Sequence, residues 1–142
     1  MNATPFDHLT FDNTNPPHLY QSPDANNLGA NLTIFTKNNT EVDLIFFVAG
    51  GNQPPHPIHK HSNRDFIIGS GGGSSNWTSI VEATAVIPQN LNLMSPPYRD
   101  NFDTPSSALR PMWLAVRYHV VNPGAFMLHC HIQSHLSGAW RW

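Results

Sequence analysis

His129, Cys130 and His131 are consecutive and His135 follows four residues on, so the only cysteine of the chain stands between two histidines. A second block, His56-Pro57-Ile58-His59-Lys60-His61, lies far upstream. Thiolate sulfur and imidazole nitrogen are ligands for transition metals, and two separated blocks of them imply a metal site assembled across a fold. The usage is skewed in the same direction. Seven of nine histidines follow position 55, against seven Lys and Arg in the whole chain, and only His119 of those seven histidines falls outside the two blocks.

Side chains alternate between the two faces of a strand. If residues 125–132 are extended, His129 and His131 point one way and Cys130 the other. His135 returns to the Cys130 side if Gln133 and Ser134 begin a turn. Upstream, His59 and His61 share a face, and Pro57, with its fixed φ, lets His56 address a different metal. Cys130, His56 and His135 then offer one thiolate and two imidazoles, the set of a one-electron copper centre with a weak axial fourth ligand. His59, His61, His129 and His131 are left facing the opposite way, four imidazoles that cannot alone complete a larger cluster for dioxygen. Two other readings of Cys130 stand beside this one. A nucleophile activated by His56 or His135 leaves four histidines unexplained, and zinc in a closed Cys-His-His site needs a fourth ligand that the sequence does not name.

These side chains need short strands to position them. Residues 28–35 and 41–48 read as strands joined by a polar turn at 36–40, with Val42, Leu44 and Phe46 on one face and Ile45 and Phe47 on the other. Residues 66–69 form the next strand candidate, ended by the Gly/Ser run 70–75. Residues 78–86 fit either a short helix or a strand, and 88–105 reads as a long polar connection. Residues 113–121 alternate cleanly, Leu114, Val116, Tyr118 and Val120 against Ala115, Arg117 and His119. Asn122-Pro123-Gly124 then turns the chain into a strand at 125–132. Many short strands punctuated by Gly and Pro, without a solid helical stripe, predict an all-β antiparallel sandwich or barrel.

A chain of 142 residues can bury one sizeable core. Seven basic and nine acidic residues give no basic stripe, so nucleic acid and anionic membrane are poor partners. No run approaches the length of a membrane span, and the first residues lack the pattern of a signal peptide. Four Asn-x-Ser/Thr sites, at Asn2, Asn31, Asn38 and Asn76, raise the expectation of a secreted glycoprotein parent.

The first block followed by Phe66, then Arg99-Asp100, Asn122-Pro123-Gly124-Ala125-Phe126 and His129-Cys130-His131-Ile132-Gln133-Ser134-His135, resembles the C-terminal cupredoxin (plastocyanin-like) domain of multicopper oxidases, in particular the laccase-like enzymes of filamentous fungi. The likeness runs over about residues 28–138. It implies a Greek-key β-sandwich over 28–142, with 1–27 as an extended linker. By position it makes His56, Cys130 and His135 the type 1 copper ligands, where electrons enter, His59 a type 2 ligand, and His61, His129 and His131 type 3 ligands. In such enzymes phenol-like donors are oxidised one electron at a time and dioxygen is reduced to water.

The chain also departs from that family. Its cluster for dioxygen needs eight histidines, and a missing N-terminal cupredoxin domain would supply the other four. The expectation is therefore a fragment truncated after the last copper motif, incomplete at its C-terminus and inactive toward dioxygen by itself. Trp140 falls at the axial position, where Met, Leu or Phe is usual. Two further readings are a single-domain blue-copper electron-transfer protein and a non-catalytic fragment.

Overall fold

The alternating stretch near residue 113 forms a strand at Met112–His119, and four consecutive side chains in it, Trp113 to Val116, are buried. It is the sixth of seven strands in a computed structural model that describes residues 34–137. In chain order the described elements are β1 (Glu41–Val48), β2 (Pro57–Lys60), β3 (Asp65–Gly72), α1 (Ile80–Val86), a 3-10 turn (Pro88–Asn90), β4 (Tyr98–Arg99), β5 (Asn101–Asp103), β6 (Met112–His119), β7 (Leu128–Cys130) and α2 (Gln133–Ser137). One antiparallel sheet has the order β1-β6-β3-β4 and a second the order β5-β2-β7. Together they make the expected all-β sandwich of cupredoxin type, with open sheet edges.

Alternation along β6 divides the core in two. Leu114 and Val116 face the three-stranded sheet and pack with Ile58, Phe102 and Cys130, flanked by Leu44, Phe46, Ile67 and Ile132. Trp113 and Ala115 point to the other side, where α1 covers them with Ile80 and Ala83 beside Ile68 and Trp77. The edge strand β1 has only one covered face. Leu44 and Phe46 are half-buried and Val48 is buried, while Ile45 and Phe47 stay exposed.

The undecided stretch 78–86 is helical because its start is capped. Ser79 accepts from the Glu82 N–H, and the Glu82 carboxylate reaches back to the N–H and hydroxyl of Thr78. That Ser-x-x-Glu spacing is a helix-start signal visible in the sequence.

Other expectations need correction. The Gly/Ser run does not end β3, which continues to Gly72. The glycines serve close approach: a Cβ on Gly69 would stand 2.1 Å from the Asn90 carbonyl oxygen, and one on Gly71 would meet the Trp113 ring at 2.7 Å. The supposed long connection 88–105 contains the 3-10 turn, β4 and β5. Between β4 and β5, at Asp100, the chain passes from one sheet to the other. The strand expected at 125–132 shortens to Leu128–Cys130, whose partner among the described residues is the four-residue β2. Ile34 and Phe35, the described end of the strand expected at 28–35, join no strand. Instead Asn39 and Thr40 extend the β1–β6 ladder through Val120. The linker 1–27, His8, His18 and Trp140 lie outside the described residues, as do residues 28–33.

Candidate metal centre

Register on β2 and β7 decides which way each ligand points. Ile58 lies opposite Cys130 and His59 opposite His129. Neighbours along a strand alternate, so Cys130 turns inward with Ile58 while His129 turns outward with His59. Beyond the strand ends the ladder is carried on by single bonds, from the His61 N–H to the Met127 carbonyl (2.9 Å) and from the His131 N–H to the Pro57 carbonyl (2.7 Å). The histidine pairs on both segments therefore emerge on one side of the small sheet.

Inward, three donor atoms converge. Cys130 Sγ lies 3.3 Å from His135 Nδ1 and 3.8 Å from His56 Nδ1, and the two Nδ1 atoms are 3.3 Å apart. His56 is fixed by a two-way exchange with Thr104, its N–H donating to Oγ1 and its carbonyl accepting from the Thr104 N–H. His135 arrives on α2, whose turn starts with the His135 N–H bonded to the Ile132 carbonyl. His56 and Cys130 are buried and His135 is half-buried. Burial holds the His56 imidazole below its ordinary pKa, and the neighbouring His135 adds to the effect; burial alone lowers His135. Both shifts favour the neutral form that a metal requires.

These three side chains are a candidate metal-binding group on geometry. A single ion bonded at about 2.0–2.3 Å to each donor leaves ligand atoms roughly 3.2–3.8 Å apart, as observed. The donor set of one thiolate and two imidazoles suits copper.

Outward, four imidazoles cluster near the surface. Ring centroids of His59 and His61 are 4.7 Å apart, of His61 and His129 5.4 Å, and of His129 and His131 5.6 Å. The Nε2 atoms of His61 and His129 face each other at 3.2 Å. Two backbone carbonyls orient the rings, that of Asp100 on His59 Nδ1 (2.9 Å) and that of Cys130 on His129 Nδ1 (3.0 Å). A carbonyl only accepts, so both Nδ1 atoms carry the proton and both Nε2 atoms keep the lone pair a metal needs. Burial, then the charges of His59 and His129, lower the His61 pKa. Donor atoms of this group do not close on one point as those of the inner group do. A cavity of about 290 Å³ opens beside His59 and His131, lined also by Pro57, Ile58 and Asn101.

Every described histidine of the two blocks thus joins one of two groups. His119 joins neither; it meets the Asn39 side chain at the exposed end of β6. Arg117 pairs with Asp43 at 2.6 Å across the β1–β6 ladder. Two residues that matter to the site, Lys60 and Asp65, were missed in the sequence, and Asp100, which stands in the Arg99-Asp100 motif, acts through its backbone. Asp100 supplies the carbonyl on His59, which no side-chain pattern reveals. Lys60 and Asp65 are buried. Alternation could have flagged Lys60, since two outward histidines around it force it inward. Its ammonium lies 3.7 Å from the Tyr118 ring centroid and 3.4 Å from the Asn63 carbonyl. Asp65 is fully buried, and neither carboxylate oxygen has a hydrogen-bond partner among the described residues. Burial pushes its pKa up to about 6, with Lys60 opposing and Asp100 assisting.

A β-sandwich carrying a buried Cys-His-His group able to hold a metal, with a bank of histidines facing outward, defines a domain of cupredoxin type. A multicopper oxidase family profile matches residues 2–139, and the chain belongs to that family. It is 47% identical to laccase abr2 of Aspergillus fumigatus over 125 residues, 85% of this chain and 21% of the relative. It is 41% identical to multicopper oxidase elcG of Phaeosphaeria nodorum over 131 residues, and 39% identical to multicopper oxidase CTB12 of Cercospora beticola over 133. Those two alignments each cover 92% of this chain and 21% of the relative. The chain therefore spans about a fifth of the length of the curated relatives it matches.

Proposed function

We propose that Cys130, His56 and His135 hold a type 1 copper, that His59 is a type 2 ligand, and that His61, His129 and His131 are type 3 ligands. The single observation that carries this is the peptide 129–131, whose middle side chain enters one donor group while its neighbour His129 enters the other. Copper bound in these groups supplies one-electron redox chemistry. The residues do the rest: the apolar core around Cys130 excludes water, the exposed edge of the small sheet leaves the histidine bank open, and the Asp100 and Cys130 carbonyls hold the imidazole protons at Nδ1. The covalent bonds of the peptide 129–131 join the two groups, and the bond from His129 Nδ1 to the Cys130 carbonyl adds a second link.

In the parent, this domain takes electrons from phenol-like donors and passes them to a cluster where dioxygen becomes water; four one-electron oxidations balance one dioxygen and four protons. The other four imidazoles come from N-terminal cupredoxin domains of the same parent, so the chain alone does not complete that reaction. The parent is a secreted glycoprotein. Asn38 and Asn76 stand exposed in loops, as glycan acceptors must, while Asn2 and Asn31 lie outside the described residues. Among the described residues no helix is long and apolar enough to cross a membrane.

The test is copper(II) titration of the full chain. A thiolate-to-copper absorption band saturating at one ion, without oxygen uptake in the presence of a phenol, is expected. Copper binding with no such band overturns the type 1 assignment. The completeness of the inner group beside the open outer one favours a second reading, electron transfer through Cys130 without oxygen chemistry. Oxygen uptake by the larger parent, lost when His129 is replaced, excludes it.

A further inference from the structure

Lys60 is an anomaly. It occupies the one position between His59 and His61, its side chain points into the core, and its residue is 7% exposed. An ammonium withdrawn from water costs several kcal/mol unless partners compensate, and a strand position facing a sandwich core ordinarily holds an apolar residue. The partners here come from three directions. The Tyr118 ring of β6 lies under the ammonium at 3.7 Å, the Asn63 carbonyl accepts from it at 3.4 Å, and the buried Asp65 of β3 supplies the opposite charge without forming an ion pair within 4.0 Å.

The Tyr118 contact crosses from the three-stranded to the four-stranded sheet, as does the longer-range attraction of Asp65, and the Asn63 contact grips the loop after His61. That loop folds back on itself, the Asn63 N–H donating to the His61 carbonyl at 3.0 Å. His61 is thus bracketed, by Lys60 before it and by the Asn63 carbonyl that Lys60 holds after it. Upstream, the Lys60 N–H and His59 Nδ1 share one acceptor, the Asp100 carbonyl. Lys60 thus shares a backbone partner with each of the two histidines, Asp100 with His59 and Asn63 with His61. None of its described hydrogen bonds or ring contacts involves His56, Cys130 or His135.

We propose that Lys60 is a positioning residue: its ammonium, held on the Tyr118 ring across the sandwich and on the Asn63 carbonyl with the Asp65 charge nearby, sets the orientation of the His59 and His61 rings and leaves the Cys130 group untouched. This rests on the reading of His59 and His61 as copper ligands. Lys60→Met keeps the length of the stem but strands the Asp65 carboxylate, so the decisive variant is Lys60→Met with Asp65→Asn, which removes both charges together. In the full chain titrated with copper(II), that double variant is expected to keep the thiolate-to-copper band and the melting temperature. Its copper affinity at the histidine bank, followed by electron paramagnetic resonance, falls about tenfold or more. Lys60→Arg, which retains a cation able to stack on tyrosine, restores affinity to within about threefold.

Unchanged affinity in the double variant overturns the proposal, and so does joint loss of both groups, which marks a general core role. Should the unsubstituted chain bind no copper at the bank, the ligand reading fails. The positioning role is then read from nitrogen-15 spectra of the imidazoles. His59 held in its Nδ1-protonated form only when Lys60 is present supports the role, and an unaltered tautomer in the double variant refutes it.

Discussion

The two donor groups grow from the same pair of strands, β2 and β7, and the segments that flank them, yet are built by opposite means. The inner group is closed: a sulfur and two Nδ1 atoms within 3.3–3.8 Å of one another, walled by Ile58, Phe102, Leu114 and Val116. The outer group is open, its rings spaced by 4.7–6.2 Å and steadied by backbone carbonyls. Burial pre-organises the first without outside help. The second is oriented but not gathered, as expected of ligands that meet their metal only when matching groups arrive from elsewhere.

The largest expected effect separates the groups outright. Cys130→Ser removes the thiolate, so copper affinity at the inner group falls by at least about a hundredfold, roughly 3 kcal/mol, and the visible band disappears, while the histidine bank keeps its binding in a metal-stoichiometry assay. His129→Ala gives the converse, the band intact and the bank weakened about 10- to 100-fold. If either substitution abolishes both sites, the two groups are one structural unit and the contrast fails.

A middle-sized effect concerns the core that backs both groups. The folded-state pKa of Asp65 is above its ordinary value, at about 6. The folded chain therefore holds a proton there that the unfolded chain releases between about 4 and 6. The resulting stabilisation is complete below the unfolded pKa and is lost as pH rises through about 6, by about 1–3 kcal/mol. The charged neighbours facing it are Lys60 from β2 and Asp100 from the crossing between sheets, with Tyr118 of β6 nearby. Chemical denaturation of Asp65→Asn across this window is expected to show the slope removed. A slope that persists in the variant assigns it to another group.

The smallest effect sharpens the outer group. Ser62, directly after His61, sits at φ 78, where a side chain is strained, and Asn122 bonds both its carbonyl and its hydroxyl at 3.1 Å. Ser62→Gly relieves that strain and is expected to stabilise the fold by about 0.5–1 kcal/mol in thermal melts. A lower melting temperature would show that the hydroxyl bond outweighs the strain.

What could be read from the sequence was what depends on local alternation. The faces of β1, the separation of Cys130 from His129, and the pairing of His59 with His61 all follow from a period of two, and the structure places them so. Tertiary contacts hid the rest. Gly69 and Gly71 look like breakers, yet they admit the Asn90 backbone and the Trp113 ring and leave β3 unbroken. β4 and β5 are two and three residues long, too short for any periodic signal, and they exist because β3 and β2 offer edges. Alternation between His59 and His61 turns Lys60 inward, but the sequence does not show that Tyr118 and Asn63 meet it there with the Asp65 charge nearby.

The ligand-bearing sheet is small. β2 has four residues and β5 and β7 have three each, against the eight-residue β1, β3 and β6 beside it. Ladders this brief open cheaply, so amide protons at Ile58 and Cys130 should exchange with deuterium sooner than those at Val116. A bound ion bridging His56, Cys130 and His135 would act as a rivet across that flimsy corner and slow the exchange there first.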